Sequence, residues 1–407
     1  MRSPSRAAVR RLAIARVISI SGGGAAFTAL NFTIYAMTHS AAWLAATLLM
    51  TFGVSGFITP FAGALGDRFD RRRVMIASDL AGAGCFLAMA FVRSPAALIS
   101  VAFLAAIAES PFWPASGAAI PNLAGPSELT WANSLLSMSR YGGIVIGPAL
   151  GGTLLSLIGA PWVFAVNGIS FVVSAALVVT VRGRFSGARA EEDAEHAGRI
   201  TAGIRFIVHD PFLSTLMLAW TVFILGMGMG MVGDVPLATL FSAGASGYGA
   251  IIALWAAGSI LGSLLARRMP ERSEGRWLVV ATFGLSLVGF GIALAPAFWF
   301  VLAMNLAFGL GDGITIVAEQ NLLQRRSPDA VRSSVIGAFE GGIHSMLAVS
   351  YLLAALVLPV LGVRWLYALG GLSGLGAAVV LLRLVSLGRG AATATQPVSS
   401  PETVPAE

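Results

Sequence analysis

The chain has 407 residues, of which 57% are hydrophobic and 11% are charged, and its formal net charge is +7. Soluble domains do not carry this much apolar surface, because most of it could not be buried. The composition therefore predicts a membrane protein and excludes an ordinary soluble enzyme or nucleic-acid-binding domain. One cysteine, Cys85, and four histidines form no metal-binding pattern, so we expect neither a metal nor a cofactor.

Twelve apolar runs of about 20 residues or more follow along the chain. Each predicts a membrane-spanning helix, because backbone groups in lipid must be hydrogen-bonded within the segment. An all-α membrane protein is therefore expected. In chain order, segments 1 to 12 cover residues 12–38, 41–65, 74–92, 96–121, 133–159, 161–181, 213–240, 246–266, 277–295, 298–323, 333–361 and 364–387.

The connections between these segments differ in arginine content. Arginine is abundant before segment 1 and after segments 2, 6, 8 and 10, whereas the alternate connections carry only Arg93 and Arg364. By the positive-inside rule, both termini are expected in the cytoplasm.

The stretch GALGDRFDRRR, residues 63–73, connects segments 2 and 3. Its glycines allow close approach of helices, Asp67 can face the positive end of a helix, and the arginines can pair with Asp70, with Asp79 or with anionic headgroups. This favours a conformational latch between the two halves of the chain. Alternatively, the stretch only sets topology as a basic patch. The predicted latch consists of Gly63, Gly66, Asp67, Arg68, Arg71, Arg72, Arg73 and Asp79.

Glu109 lies about midway along segment 4. An ionisable side chain near the bilayer centre costs at least about 2.5 kcal/mol, so each one is a functional candidate. Glu109 could take up a proton on one side of the membrane and release it on the other. Alternatively, it forms a structural pair with Arg140 of segment 5.

Segment 5 contains RYGGIVIGPALGG, residues 140–152. The glycines form a small-residue face, and the proline bends the helix, so that this helix can pack closely against another and pivot. Ordinary small-residue packing is the alternative. The residues of this predicted motif are Arg140, Gly143, Gly147, Pro148, Gly151 and Gly152.

Residues 182–212 form the long polar interlude of the chain, and they separate an N-terminal bundle, 1–181, from a C-terminal bundle, 213–388. Within the interlude, Ile200, Ile204 and Ile207 recur at helical spacing, which predicts a short amphipathic helix on the cytoplasmic surface. The tail, 389–407, is expected to be disordered.

The C-terminal bundle adds four candidates for proton coupling. Asp312 lies between two glycines in segment 10 and can face a cavity, whereas Asp234 is close enough to the outer end of segment 7 to be solvated. Glu340 and His344 are four residues apart in segment 11, where they could relay a proton or form a structural pair.

Polar, aromatic and methionine side chains inside the segments are candidate substrate contacts, since methionine provides an adaptable apolar wall. Ordinary helix packing is the alternative for each. They are Asn31, Phe112, Trp113, Asn167, Trp220, Phe223, Met227, Met231 and Trp255.

The two halves of the chain repeat weakly. A shift of 199 residues lays residues 63–68 over 262–267, Asn122 over Asn321, and the glycine pair 142–143 over the pair 341–342. Three matches at one offset favour a duplicated six-helix unit.

The loop after segment 2, with Gly63, Leu65, Asp67, Arg68 and Arg73, resembles the corresponding loop of the major facilitator superfamily. The glycines and proline of segment 5 resemble the antiporter motif of that superfamily. Two further stretches, PSELTWAN at residues 126–133 and GIRFIVHDPFL before segment 7, are similar to the branch with enterobactin exporters and macrolide efflux proteins.

This resemblance implies twelve helices in two pseudo-symmetric six-helix bundles, in a monomer of the bacterial cytoplasmic membrane. It also implies proton-coupled efflux of an amphipathic small molecule, such as a drug, siderophore or natural product. Related drug exporters often carry an arginine in segment 4, which this chain lacks. Substrate, protons and membrane lipids are the expected partners, and nucleic acid is not.

Two other functions stay open. One is a transporter that flips lysophospholipids, and the other is a polytopic membrane enzyme or sensor. An enzyme should cluster histidines and carboxylates at one membrane surface, whereas here the carboxylates are spread through the segments, so no enzymatic activity is expected. No GxxxxGK[ST] phosphate loop is present, which argues against direct use of ATP.

Overall fold

The computed structural model describes residues 4–53, 69–124, 128–185, 196–266, 268–270, 273–327 and 332–394. Within these ranges the regular structure is helical. A π-helical turn, Leu49–Gly53, follows the second helix. The α-helices in chain order are α1 (Pro4–Thr38), α2 (Ala41–Leu48), α3 (Arg71–Met89), α4 (Pro95–Glu109), α5 (Phe112–Ala124), α6 (Leu129–Ile158), α7 (Ala160–Thr180), α8 (His196–His209), α9 (Pro211–Leu240), α10 (Gly244–Ala266), α11 (Glu274–Ala293), α12 (Phe298–Arg326), α13 (Arg332–Leu361) and α14 (Val363–Ala394).

Ten helical stretches in the described ranges are long and apolar enough to cross a membrane, which confirms an integral membrane protein. Segment 2 is described only to residue 53, as α2 and the π-helical turn. Segment 3 corresponds to α3, which is not among the ten.

Segment 4 differs from its prediction as one helix, because a turn at Ser110 and Pro111 divides it into α4 and α5. Proline has no backbone N–H and its ring clashes with the preceding turn, so it interrupts the helix here. Glu109 is the last residue of α4, directly before this break.

The two halves share one packing pattern. In the first half, α1 packs against α6 and α7, and α3 packs against α7; in the second, α9 packs against α13 and α14, and α11 packs against α14. Single glycines, Gly159 and Gly362, join the last two helices of each half, with φ of 79° and 85°. Such φ values favour glycine, and their equivalent places support the predicted pair of pseudo-symmetric bundles.

The end of the molecule with Arg6 is called the inner end here, and the opposite end the outer end, after the predicted topology. At the outer end one hydrophobic cluster contains Leu44 and Leu48 of the first half together with Val232, Tyr248 and Tyr351 of the second. At the inner end, the described apolar residues form two clusters, each within one half. Among the described residues, the hydrophobic cores thus join only at the outer end.

A helix is present in the polar interlude, as predicted, and this helix, α8, packs against α13. Ile207 is buried in the inner core of the second half, whereas Ile204 is exposed. The tail was expected to lack structure from residue 389, but α14 continues to Ala394, and residues 395–407 lie outside the described ranges.

Candidate functional site

A cavity of about 570 Å³ lies between the two halves. Its first wall comes mainly from α1, α4, α5 and α6, with residues of α2, the π-helical turn and α3. Its second wall comes mainly from α9, α10, α11 and α12, with two residues of α14. The lining is mostly apolar, and each half contributes one carboxylic acid. The predicted site residues that line it are Glu109, Trp113, Pro148, Phe223, Met227, Met231, Asp234 and Trp255.

Glu109 reaches the cavity from the break between α4 and α5. Its side chain packs against α3, where a Cβ added to Gly82 would lie 3.4 Å from Glu109 Cγ. Among the described residues it makes no ion pair, so the alternative of a pair with Arg140 is wrong. A carboxyl group inside a membrane span without a cationic partner is a functional-site candidate.

Asp79 lies inside the first half and not beside the arginines of the predicted latch. It is only 1% exposed, and its Oδ2 atom is buried without a hydrogen-bond partner in the described part of the chain. It lies one helical turn before Gly82, the residue of α3 against which the Glu109 side chain packs. Two turns of helix separate Asp79 from Arg72, which places the carboxylate in the bundle interior.

Two of the other described latch residues, Arg72 and Arg73, form hydrogen bonds within the first half. Arg72 donates to the backbone oxygen of Val179 in α7, and Asp70 caps α3 by accepting from Arg73 N at 3.1 Å. Gly63, Gly66, Asp67 and Arg68 lie outside the described residues, and the latch stays a prediction.

Arg16 and Arg140 both contact the indole of Trp113. Their guanidinium carbons lie 5.0 and 5.6 Å from its ring centroid. Arg16 is 6% exposed, and one of its terminal nitrogens donates to the hydroxyl of Ser116 in α5. Arg16 was not among the predicted site residues, although its place inside segment 1 was the available signal.

Asp234 lies in the second wall and not in solvent at the outer end, because the joined cores cover that end. The hydroxyl of Tyr367 donates to Asp234 Oδ1 at 2.7 Å, and Tyr248 also lines this part of the cavity. Neither tyrosine was recognised from the sequence. Both lie in strongly apolar segments, where the sequence pattern does not indicate that a hydroxyl group faces the cavity.

Asp312 does not line the cavity, contrary to expectation. Its helix, α12, lies so close to α10 that a Cβ on Gly309 or Gly313 would overlap α10 backbone atoms, and Asp312 is buried between helices. Its Oδ2 atom has no hydrogen-bond partner in the described ranges. Glu319, also buried in α12, was missed, although its place inside segment 10 marked it.

The other predicted contacts lie away from the cavity. His344 Nδ1 is 2.8 Å from the backbone oxygen of Glu340, whose side chain is exposed. Asn31 donates to Phe27 O at 2.9 Å, and Asn167 accepts from Ser170 at 3.1 Å. Phe112 belongs to the inner core of the first half and Trp220 to that of the second.

The motif of segment 5 has two contact faces on α6. Gly143, Gly147 and Gly151 face α1; a Cβ on Gly151 would lie 2.5 Å from Ala25 Cα. Gly152 faces α10 of the other half, where an added Cβ would lie 2.5 Å from the backbone oxygen of Ala245. The motif therefore joins the halves near the outer end.

Comparison with known proteins agrees with this architecture. The family model of the Major Facilitator Superfamily matches residues 12–248 and 234–404. The uncharacterized MFS-type transporter YfiS of Bacillus subtilis is 26% identical over 72% of this chain and 73% of YfiS. The enterobactin exporter EntS of Shigella boydii serotype 18 is 24% identical over 81% of this chain and 80% of EntS.

Solved structures share the fold at low sequence identity. A bacterial homologue of the iron transporter ferroportin in an inward-facing state has a TM-score of 0.73 and 18% identity, and the match covers 93% of this chain and 98% of that chain. A POT family transporter has a TM-score of 0.75 and 10% identity, with 94% and 96% covered.

Proposed function

We propose, from the premise that the chain belongs to the major facilitator superfamily, that it exports an amphipathic small molecule from the cytoplasm in exchange for protons, by alternating access. The proposed substrates are drugs, siderophores or natural products. The relative EntS is by its name an enterobactin exporter, which favours export. A monomer in the bacterial cytoplasmic membrane with both termini inside is part of the proposal.

One observation carries this proposal. A largely apolar cavity lies between two halves whose hydrophobic cores, over the described residues, join at the outer end and form separate clusters at the inner end. An apolar cavity with a few polar groups suits an amphipathic ligand. Entry from the inner side, followed by rocking of the two halves about the cavity, would release that ligand outside.

Glu109 and Asp234 are the proposed proton carriers, because they are the described carboxylic acids that line the cavity. Asp234 has a neutral partner, the Tyr367 hydroxyl, and Glu109 has no cationic partner among the described residues. Both can exchange protons with solution that fills the cavity. The other predicted carriers do not line the cavity and are therefore weaker candidates for carrying protons. They are Asp312, Glu340 and His344.

The test uses inside-out vesicles with an acidic interior, in which a pH dye reports protons leaving as a compound is taken up. A panel of anionic, neutral and cationic amphipathic compounds is added to the parent protein and to Glu109→Gln and Asp234→Asn. Asp210→Asn is the matched control, since it removes a carboxylate outside the cavity while asparagine remains a good helix cap.

Export in exchange for protons requires compound-dependent proton release in the parent and the control. It also requires that at least one cavity variant loses the release while remaining inserted. Uptake of a compound without proton movement would refute the proposed proton coupling. If lysophospholipid moves across the membrane and no soluble compound gives a response, the function is lipid flipping and not small-molecule export.

A further inference from the structure

We propose that Arg16, Trp113 and Arg140 form a subsite of the cavity that binds the anionic group of an aromatic, amphipathic substrate. This inference rests on the proposed export function, and it adds the charge class of the transported molecule. It concerns a set of residues on the first wall that the proton-carrying role does not use.

The charge of Arg16 is poorly compensated in the protein itself. Neither Arg16 nor Arg140 forms an ion pair with any described carboxylate. Arg16 has one neutral acceptor, the Ser116 hydroxyl, and its Nε atom is buried without any hydrogen-bond partner in the described ranges. A buried guanidinium inside a membrane span normally pairs with a carboxylate or marks a substrate pathway.

Contact with the indole does not fully offset this cost. A cation over an indole contributes about 0.5 to 1 kcal/mol at an exposed site and about 2 kcal/mol when desolvated. Trp113 is 41% exposed, so the contact is weak and leaves Arg16 without a counter-ion among the described residues. The second guanidinium on the same ring repels the first. An anion bound near both would relieve the repulsion and satisfy the free donors.

Trp113 connects these arginines to the cavity. The indole lines the cavity and is 41% exposed, and the side chain of Arg140 is also exposed. Both arginines lie one turn from other lining residues, since Ile20 follows Arg16 in α1 and Ile144 follows Arg140 in α6. Neither arginine lines the cavity itself, so a ligand meets the cluster through the indole of Trp113, which both guanidinium groups contact.

The chemistry of the cluster selects the ligand class. Guanidinium groups bind carboxylates through two parallel hydrogen bonds and also stack on aromatic rings. The exposed indole and the neighbouring apolar wall favour an aromatic body attached to the acidic group. Glu109 stands on the same wall and repels an anion while ionised.

Equilibrium dialysis of the purified full chain in detergent tests the subsite with three naphthalene probes. These are 1-naphthoate, neutral 1-naphthalenemethanol and cationic 1-naphthylmethylamine. The variants are Arg16→Gln, Arg140→Gln and Glu109→Gln, and the control is Arg93→Gln, whose guanidinium bonds to backbone oxygen at the outer end. Circular dichroism and size-exclusion chromatography verify folding.

The parent and the control should bind naphthoate roughly tenfold tighter than the neutral probe, as expected for hydrogen bonds to a charged group. Arg16→Gln and Arg140→Gln should each abolish most of that preference, and Glu109→Gln should increase it. Arg140 is exposed, so its variant keeps the test valid even if Arg16→Gln fails to fold.

Equal affinity for the anionic and neutral probes in the parent would overturn the subsite, as would a preference that survives in Arg140→Gln. The vesicle assay separates this outcome from failure of the export proposal. Proton exchange with neutral or cationic compounds alone would refute the anion subsite and leave the export proposal intact. Anion-selective binding without any proton exchange would support the subsite and refute proton-coupled export.

Discussion

The two halves of this protein share a packing pattern but differ in the charges that face the cavity. The first wall combines Glu109 with the arginines around Trp113, whereas the second wall presents Asp234 bonded to Tyr367. In the described ranges, the arginines of the second half lie near the helix ends or on exposed surface. Duplication therefore fixed how the helices pack, while the chemistry of each cavity wall was free to diverge.

The largest effect is expected where the halves meet. A Cβ on Gly249 of α10 would overlap the backbone oxygen of Pro148 and lie 3.1 Å from Gly152 Cα. Gly249→Leu should therefore destabilise the outer contact by about 3 kcal/mol or more and abolish transport. Thermal unfolding in detergent and vesicle uptake measure both effects.

The matched control for this substitution is Gly142→Leu on α6, because no atom lies within 4 Å of a Cβ added there. Equal unfolding temperatures for Gly249→Leu and the parent would show that the halves do not depend on this contact. Equal losses in both variants would instead indicate a general effect of leucine.

A smaller effect is expected on the second wall alone. Tyr367→Phe removes the hydroxyl that donates to Asp234 but preserves the aromatic packing. A hydrogen bond to a charged group contributes about 1.5 to 3 kcal/mol, so proton exchange should fall about tenfold while naphthoate binding on the first wall stays unchanged. Vesicle flux and equilibrium dialysis give the two readouts.

Loss of naphthoate binding in Tyr367→Phe would contradict the division of roles between the walls. The reciprocal variant, Ser116→Ala, removes the neutral acceptor of Arg16 and serves as the comparison on the first wall. It should alter naphthoate affinity and leave proton exchange near that of the parent.

The smallest effects are expected at two aspartates that cap helices at the inner end. Asp210 accepts from Phe212 N and Leu213 N at 2.8 and 2.9 Å, whereas Asp70 accepts only from Arg73 N, at 3.1 Å. Asp210→Ala should cost about 1 kcal/mol and Asp70→Ala less. Thermal unfolding temperatures rank the stability of the two alanine variants, and Asp210→Asn and Asp70→Asn are the controls. A larger loss of stability in Asp70→Ala than in Asp210→Ala would contradict the geometry.

The sequence predicted the helices well because long apolar runs leave few alternatives in lipid. It did not predict the break at Pro111, which lies inside one continuous apolar run. Glu109 and Trp113 line the cavity, as the sequence suggested, whereas Trp220, another indole inside a span, packs in the inner core of the second half. The signal was clearer for Glu109, because an ionisable side chain inside a span is costly.

Rotation of each helix about its own axis was beyond the sequence, because neighbouring helices and not hydropathy determine it. Asp312 faces the packed side of α12, next to α10, although its flanking glycines suggested cavity exposure. Asp234 was misplaced for a related reason, since depth along a helix does not reveal that the joined outer cores keep solvent away.

The single-glycine turns have a consequence for how this molecule can move. Gly159 and Gly362 each leave one residue between two long helices, and a linker this short allows no sliding of one helix past the other by even a turn, which is 5.4 Å. The outer ends of α6 and α7, and likewise those of α13 and α14, must therefore move together, while the glycine between them leaves the angle between the two helices free to change.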